Sequence, residues 1–315
     1  MRLILSLLVL TFTFGFFGSN SVLEAHPWGG LVIDSDGNVY FTFTCPIVDD
    51  HHYACVWMID QDGNTQQILN SRYSPSDIIL SRSPSRYVLA AERSGQSPSY
   101  RNMLWEIHSD SISQVNPAKN YSNAFHIQAY AIANDSTLYF ARDGQLFSLQ
   151  KNSTASEIDL GRTINRIDLV SIDGDGTLYL VADNALYKKS ETGLKLIANS
   201  LKDNDPENIP FRGANILFDM CIDDSGNVYL AYYGNRRVLK VSPSGDVSTL
   251  LKSEGPWSPS GVDIYQGELY VLESTIGDGA WWKFWNRDDN ELIPRIRKLG
   301  KNGTISTIYE YQLED

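Results

Sequence analysis

One unit recurs along this chain: an apolar strand, a turn built from Asp, Ser, Gly and Asn, and a second strand carrying Val-Tyr or Leu-Tyr. Its clearest copies are Leu31-Val-Ile-Asp-Ser-Asp-Gly-Asn-Val-Tyr40, Ser171-Ile-Asp-Gly-Asp-Gly-Thr-Leu-Tyr179 and Cys221-Ile-Asp-Asp-Ser-Gly-Asn-Val-Tyr229. Weaker copies end at Tyr87, Tyr139 and Tyr270, so the six tyrosines are spaced by 47, 52, 40, 50 and 41 residues. Such intervals are too long for one hairpin and suit a four-stranded blade. The expected fold is therefore all-β, a six-bladed β-propeller of four-stranded antiparallel blades.

The remainder of each interval supplies the second hairpin. In the fifth unit Arg237-Val-Leu-Lys-Val241 alternates, Ser242-Pro-Ser-Gly-Asp246 turns, and Val247-Ser-Thr-Leu-Leu251 runs back. Asp62-Gly-Asn64 and Lys301-Asn-Gly303 play the same part in the first and sixth units, with Gly free to take the positive φ of a tight turn. The first and sixth units are each complete in their own sequence, so ring closure needs no strand borrowed from the far terminus.

Ahead of the repeats, Met1-Arg2 precedes an apolar stretch from Leu3 to Phe17 and small polar residues from Gly18 to Ser21. That order matches a secretory signal peptide, and the run is short for a spanning helix of about 20 residues. The expectation is a signal peptide over residues 1–21, cleaved as late as 25, and a single propeller domain over 22–315. The mature chain would then be secreted or periplasmic, monomeric, and without a transmembrane segment. Acidic residues outnumber basic ones by 38 to 26. No Lys/Arg run offers the clustered cations that phosphate neutralisation needs, so nucleic acid is not an expected partner.

Blade topology sorts the loops by face. The Asp-Gly turns fall at one end of the strands, while the long irregular segments Cys45–Cys55, Glu92–Asn102, Asn199–Asn215 and Ser274–Pro294 fall at the other. Long loops on a rigid scaffold are where binding tends to reside. That face would carry Asp49, Asp50, His51, His52, Arg93, Tyr100, Arg101, Arg212, Trp257, Trp281, Trp282 and Trp285. The segment Trp281-Trp-Lys-Phe-Trp285 fits neither strand alternation nor a turn. Its aromatics could stack on a sugar or peptide, dip into a membrane surface, or plug the channel mouth. Cys45 and Cys55 bracket the first of these loops and are expected to stand across from each other as a disulfide. Cys221, inside an apolar strand, reads as a small buried hydrophobe. Asp34-x-Asp36-Gly37 and Asp173-x-Asp175-Gly176 open like calcium loops, but position twelve is Cys45 or Asn184 rather than Glu, so they are hairpin turns.

These units resemble the NHL-repeat propellers and the related gluconolactonase and strictosidine-synthase-like group. The resemblance is closest over Phe218 to Leu251, where Asp219-Met-Cys-Ile-Asp-Asp-Ser-Gly-Asn-Val-Tyr-Leu-Ala231 and Gly234-Asn-Arg-Arg-Val-Leu-Lys240 follow the repeat. It implies two functions of different kinds. One is a scaffold binding a protein or small-molecule ligand through the long-loop face. The other is a lactonase- or esterase-like hydrolase in which a divalent cation, calcium or zinc, polarises the carbonyl. In those enzymes a carboxylate holds the cation from a Pro-Asp-Gly-Met-Cys-Ile-Asp-like segment. Here the segment reads Leu217-Phe-Asp-Met-Cys-Ile-Asp223, with Phe218 in the ligand position. Asp168 and Asp219 are the candidate metal ligands, and no catalytic residue is assigned.

Overall fold

A computed structural model describes residues 30–44, 54–71, 76–85, 87–94, 101–108, 111–115, 129–142, 144–150, 153–202, 216–275 and 293–311. These form six four-stranded antiparallel sheets, each an up-and-down meander of consecutive strands. Blade 1 holds β1 (Leu31–Ile33), β2 (Val39–Thr44), β3 (Ala54–Ile59) and β4 (Thr65–Asn70). Blade 2 holds β5 (Ser76–Arg82), β6 (Val88–Ser94), β7 (Arg101–His108) and β8 (Ser111–Gln114). Blade 3 holds β9 (Tyr130–Ile132), β10 (Leu138–Arg142), β11 (Gln145–Leu149) and β12 (Ser156–Ile158). Blade 4 holds β13 (Ile167–Ile172), β14 (Leu178–Ala182), β15 (Ala185–Ser190) and β16 (Gly193–Asn199). Blade 5 holds β17 (Leu217–Ile222), β18 (Val228–Tyr232), β19 (Arg237–Val241) and β20 (Val247–Lys252). Blade 6 holds β21 (Trp257–Tyr265), β22 (Glu268–Thr275), β23 (Pro294–Leu299) and β24 (Ile305–Glu310). The chain is thus a six-bladed β-propeller, and among the described residues each blade is made of four consecutive strands.

The recurrent Asp is what makes the unit turn. Asp34 Oδ1 accepts the backbone N–H groups of Asp36 and Asn38, each at 2.9 Å. Its Oδ2 accepts the Asn38 amide at 2.8 Å and the Tyr40 hydroxyl at 3.1 Å. Asp223 repeats all four bonds with Ser225, Asn227 and Tyr229. Asp173 keeps the two backbone bonds, where Thr177 replaces the Asn. An Asx turn, an amide and a phenol therefore consume the carboxylate, and the Asp-x-x-Gly-Asn-x-Tyr spacing is a folding signal rather than an ion site.

Burial falls from the ring's centre outward. The inner strand β1 is wholly buried, whereas β8 is exposed throughout and β20 and β24 nearly so. Adjacent blades enclose one apolar cluster per seam, including Val32, Tyr40 and Ile78 between blades 1 and 2. The ring closes through Leu31, Ile33, Phe41, Leu272 and Ile296 between blades 1 and 6. Backbones meet closely there. A Cβ on Gly261 would lie 2.8 Å from the Leu31 nitrogen, and one on Gly30 2.9 Å from the Leu80 nitrogen.

Each inner strand starts at what we term the upper rim and ends at an Asp-type or equivalent turn on the lower one. The end of β2 and start of β3, the end of β6 and start of β7, and the end of β22 and start of β23 border long connections at the upper rim, as do the joins between blades 2 and 3 and between blades 4 and 5. The strands reach further than their sequence suggests: β6 continues through Glu92 to Ser94 and β7 begins at Arg101. Ladder pairing and burial of Glu92 extend the hairpin into what reads as a polar loop.

Candidate functional site

The six inner strands surround a central channel lined by residues of β1, β5, β13, β17 and β21 together with Ala129 and Tyr130. Its empty space is about 610 Å³ with the open mouths included, but water centres fit in only about 50 Å³ of it. That is room for a few waters, at roughly 10–15 Å³ each, and not for a sugar or lactone ring.

Two carboxylates enter this channel. Asp219 Oδ1 accepts the Met220 N–H at 2.8 Å, while Oδ2 accepts Val262 N–H at 2.9 Å and Leu31 N–H at 3.5 Å. It thereby reaches from blade 5 to blades 6 and 1. Burial, reinforced by the charge of Asp263 and opposed by the amide bonds, pushes the Asp219 carboxyl up to about 7. Asp263 is 2% exposed; its Oδ2 accepts Ile33 N–H at 2.8 Å and its Oδ1 accepts Ile264 N–H at 2.8 Å. Arg82 Nη1 stands 3.4 Å from Asp263 Oδ1. The inward edge of an inner strand has no neighbouring strand, so these carboxylates satisfy amides of β1 and β21 that would otherwise be buried unpaired.

The candidate ligand Asp168 sits elsewhere in the same register scheme. The β13–β14, β17–β18 and β21–β22 ladders each slip by one residue at the upper rim, which places Asp168, Phe218 and Ser260 at equivalent bulges. Asp168 is held by Arg166 at 2.5 Å and Lys202 at 3.4 Å. Phe218 packs edge-on against Tyr233 with ring centroids 4.7 Å apart. With Asp168 held by two cations, Asp219 by three amides and Phe218 at the third position, these side chains do not fit an oxygen cage for a divalent cation. Among the described residues no group of three or more His, Cys, Asp or Glu is placed to hold a metal ion.

Of the residues expected on the binding face, Arg93 falls near the end of β6, Arg101 opens β7, and Trp257 is described with its side chain. It opens β21 at the upper rim, half-buried, with the Arg295 guanidinium 4.1 Å over its ring. Tyr100, Arg212, Trp281, Trp282, Trp285 and Cys45 lie outside the described residues, as do Asp49, Asp50, His51 and His52. Cys55 is buried and stands opposite Phe43 in the β2–β3 ladder, and Cys221 is buried with a free thiol whose ionisation burial disfavours.

Three groups escape a reading of the sequence. Asp263 and Arg82 come from strands 181 residues apart and meet through ring closure, and the only hint of Asp263 is a charge inside an apolar run. Glu273 is likewise a fully buried charge on β22. Its Oε2 accepts Arg295 Nε at 2.9 Å and Nη2 at 2.6 Å, and its Oε1 accepts Arg297 Nη2 and the Ser253 hydroxyl.

No helix among the described residues is long and apolar enough to cross a membrane. No family model matches the sequence, and no curated protein matches it. Solved structures do resemble the fold. The chain is similar to virginiamycin B lyase from Staphylococcus aureus, at 13% identity and a TM-score of 0.50 over 94% of this chain and 87% of that one. A streptogramin B lyase gives 14% identity and a TM-score of 0.51 over 94% and 85%. An auxiliary nutrient binding protein from Bacteroides thetaiotaomicron gives 12% identity and a TM-score of 0.52 over 79% of this chain and 66% of that one. At such identities the likeness is one of fold, and the chain stands with them as a β-propeller.

Proposed function

We propose that this chain is an exported propeller of the NHL and gluconolactonase type that binds a protein or small-molecule ligand through its upper rim. The observation that carries the reading is the state of the channel: its carboxylates already accept backbone amides, and its free space holds only waters. A ligand of any size must therefore meet the molecule outside the channel. The long connections bordered by the upper strand ends, and the half-buried Trp257 among them, make that rim the better face. One structural relative is named for nutrient binding, a role this reading would extend to the present chain. The test is a glycan and peptide binding screen, repeated with Trp281, Trp282 and Trp285 changed to Ala. Binding should weaken with little change in melting temperature; a large loss of stability would instead mark these aromatics as a plug.

A second reading, an ester or lactone hydrolase, is favoured by the Asp219 carboxyl poised near neutrality at about 7. Any divalent cation would need donors beyond the described residues. Hydrolysis in an esterase and lactonase screen that Asp219→Asn abolishes would favour it over the scaffold.

Export and the disulfide belong to the same proposal. We read residues 1–21 as a signal peptide, which N-terminal sequencing of exported protein would test. We pair Cys55 with Cys45, supported by Cys55 being bonded while Cys221 is free. Two free thiols beyond that of Cys221 in unreduced exported protein would refute the pairing.

A further inference from the structure

The seams between blades 1 and 2 and between blades 5 and 6 carry the same device. After the outer strand of one blade a serine bonds back to its own sheet, Ser71 N–H to Ala54 O and Ser253 N–H to Arg236 O. Its hydroxyl then donates to a buried glutamate on the next blade's second strand, Ser71 to Glu92 and Ser253 to Glu273. Ladder register makes the neighbours equivalent. Met103 and Trp105 stand beside Glu92 where Arg295 and Arg297 stand beside Glu273. Ala54 takes the place of Arg236. The first seam thus seals a buried carboxyl with a hydroxyl and the Trp105 indole N–H at 3.0 Å, with no guanidinium bonded to it among the described residues. Sealing a buried glutamate at a seam does not by itself call for the three arginines of the second.

Those arginines exceed what Glu273 can neutralise. Both its oxygens are taken, by Arg295 on one side and by Arg297 and Ser253 on the other. Arg236 bonds nothing through its guanidinium among the described residues, and the Nε atoms of Arg236 and Arg297 are buried without a partner. Glu310, opposite Arg295 in the β23–β24 ladder, and Glu254 are exposed and pair with none of the three. One carboxylate thus serves both Arg295 and Arg297, and Arg236 has none among the described residues, in a chain of net charge −12. Partly buried charge of one sign is costly unless an opposite charge meets it. Arg295 is stacked on Trp257, and Arg236 Nη1 lies 2.5 Å from where a Gly255 Cβ would sit, two residues before that Trp.

We propose that Arg236, Arg295 and Arg297 form an oxyanion-binding site at the upper rim between blades 5 and 6, taking the carboxylate or phosphate of a small-molecule ligand. Planar guanidinium forks, one of them stacked on Trp257, suit such groups. The inference rests on the upper rim being the binding face and names the chemistry recognised there.

Calorimetric titration of the folded chain with sodium phosphate and with sodium acetate, at ionic strength held constant with chloride, tests it. Saturable binding of at least one anion is expected, and which one binds separates a phosphate-bearing from a carboxylate-bearing ligand. Arg236→Ala, the residue of the first seam, should weaken that binding at least about tenfold. Lys240→Gln removes the same charge from blade 5 at a distance from the cluster and should change it less than about twofold. Should Arg236→Ala fail to melt cooperatively, Arg295→Met provides the same reading. Absence of saturable binding of both anions to the unaltered chain, or equal binding by the variant, overturns the site. The wider rim reading fails separately: anion binding lost in Arg236→Ala but ligand binding indifferent to Trp281, Trp282 and Trp285 would keep this site and discard the aromatic face.

Discussion

Blade 2 and blade 6 solve one problem in two ways. Each buries a glutamate on its second strand and ties it to a serine of the preceding blade, yet Glu92 receives neutral donors and Glu273 receives two guanidiniums. Glu92 has no cation bonded to it among the described residues, and burial pushes its carboxyl above the usual range although Ser71 and Trp105 oppose the shift. A seam can be sealed without ionic pairing. The charge at the other seam exceeds what its one glutamate needs, which is the difference between the two.

The largest expected effect is at Glu273. Glu273→Ala strands Arg295 and Arg297 in a site where their side chains are only 14% and 12% exposed, and breaking a buried pair costs about 3–5 kcal/mol. Urea unfolding should show it, and a loss below about 1 kcal/mol would mean that the pair is dispensable, collapsing the distinction between the seams. Next comes Trp105→Phe, which removes the indole donor from Glu92 and leaves a buried oxygen unpaired, for about 1–3 kcal/mol.

A smaller effect is pH-dependent. A carboxyl raised by folding binds its proton more tightly in the native state, so stability is gained below the ordinary carboxylate range and declines as pH rises through the folded pKa. Glu92→Gln should remove that decline, visible as a gap between variant and parent that narrows on acidification. Asp219 slopes in the same direction up to about 7, which is why the comparison must be with the isostere rather than with the bare profile. The smallest effect belongs to Lys298, paired with Glu268 at 2.9 Å on the half-exposed outer part of blade 6. Lys298→Ala should cost less than about 1 kcal/mol, in contrast to the same blade's interior charges.

What could be read in advance follows from distance along the chain. The turns at Asp34, Asp173 and Asp223 close within six residues, so their spacing is written plainly and the blade count follows. The second and third units look weak because Ser83 and Ala133 hold the place of the Asp. Ser83 substitutes with a hydroxyl that accepts Tyr87 N–H at 3.1 Å, and Ala133 relies on Asp135 bonding Thr137. The sixth turn drops the Asp and uses positive φ at Gln266 and Gly267 instead. By contrast, the bond between Asp263 and Ile33 spans 230 residues, and the arginine cluster joins strands of two blades. Neither leaves a local pattern. Asp168 and Asp219 are legible as charges at inner-strand starts, but the blade 6 and blade 1 amides on Asp219 appear only once neighbouring blades are in place, and Lys202 reaches Asp168 only when blade 4 folds.

The central claim, that the blade 5–6 arginines serve a ligand and not the fold, is tested most directly by writing the first seam into the second. The triple variant Arg236→Ala, Arg295→Met, Arg297→Trp gives Glu273 the surroundings of Glu92. Phosphate and acetate titration of parent and variant, with thermal unfolding of both, is the measurement. The account predicts a variant that still unfolds cooperatively, within several degrees of the parent, and that no longer binds the anion the parent binds. A variant that fails to fold, or one that binds the anion as well as the parent does, would contradict it.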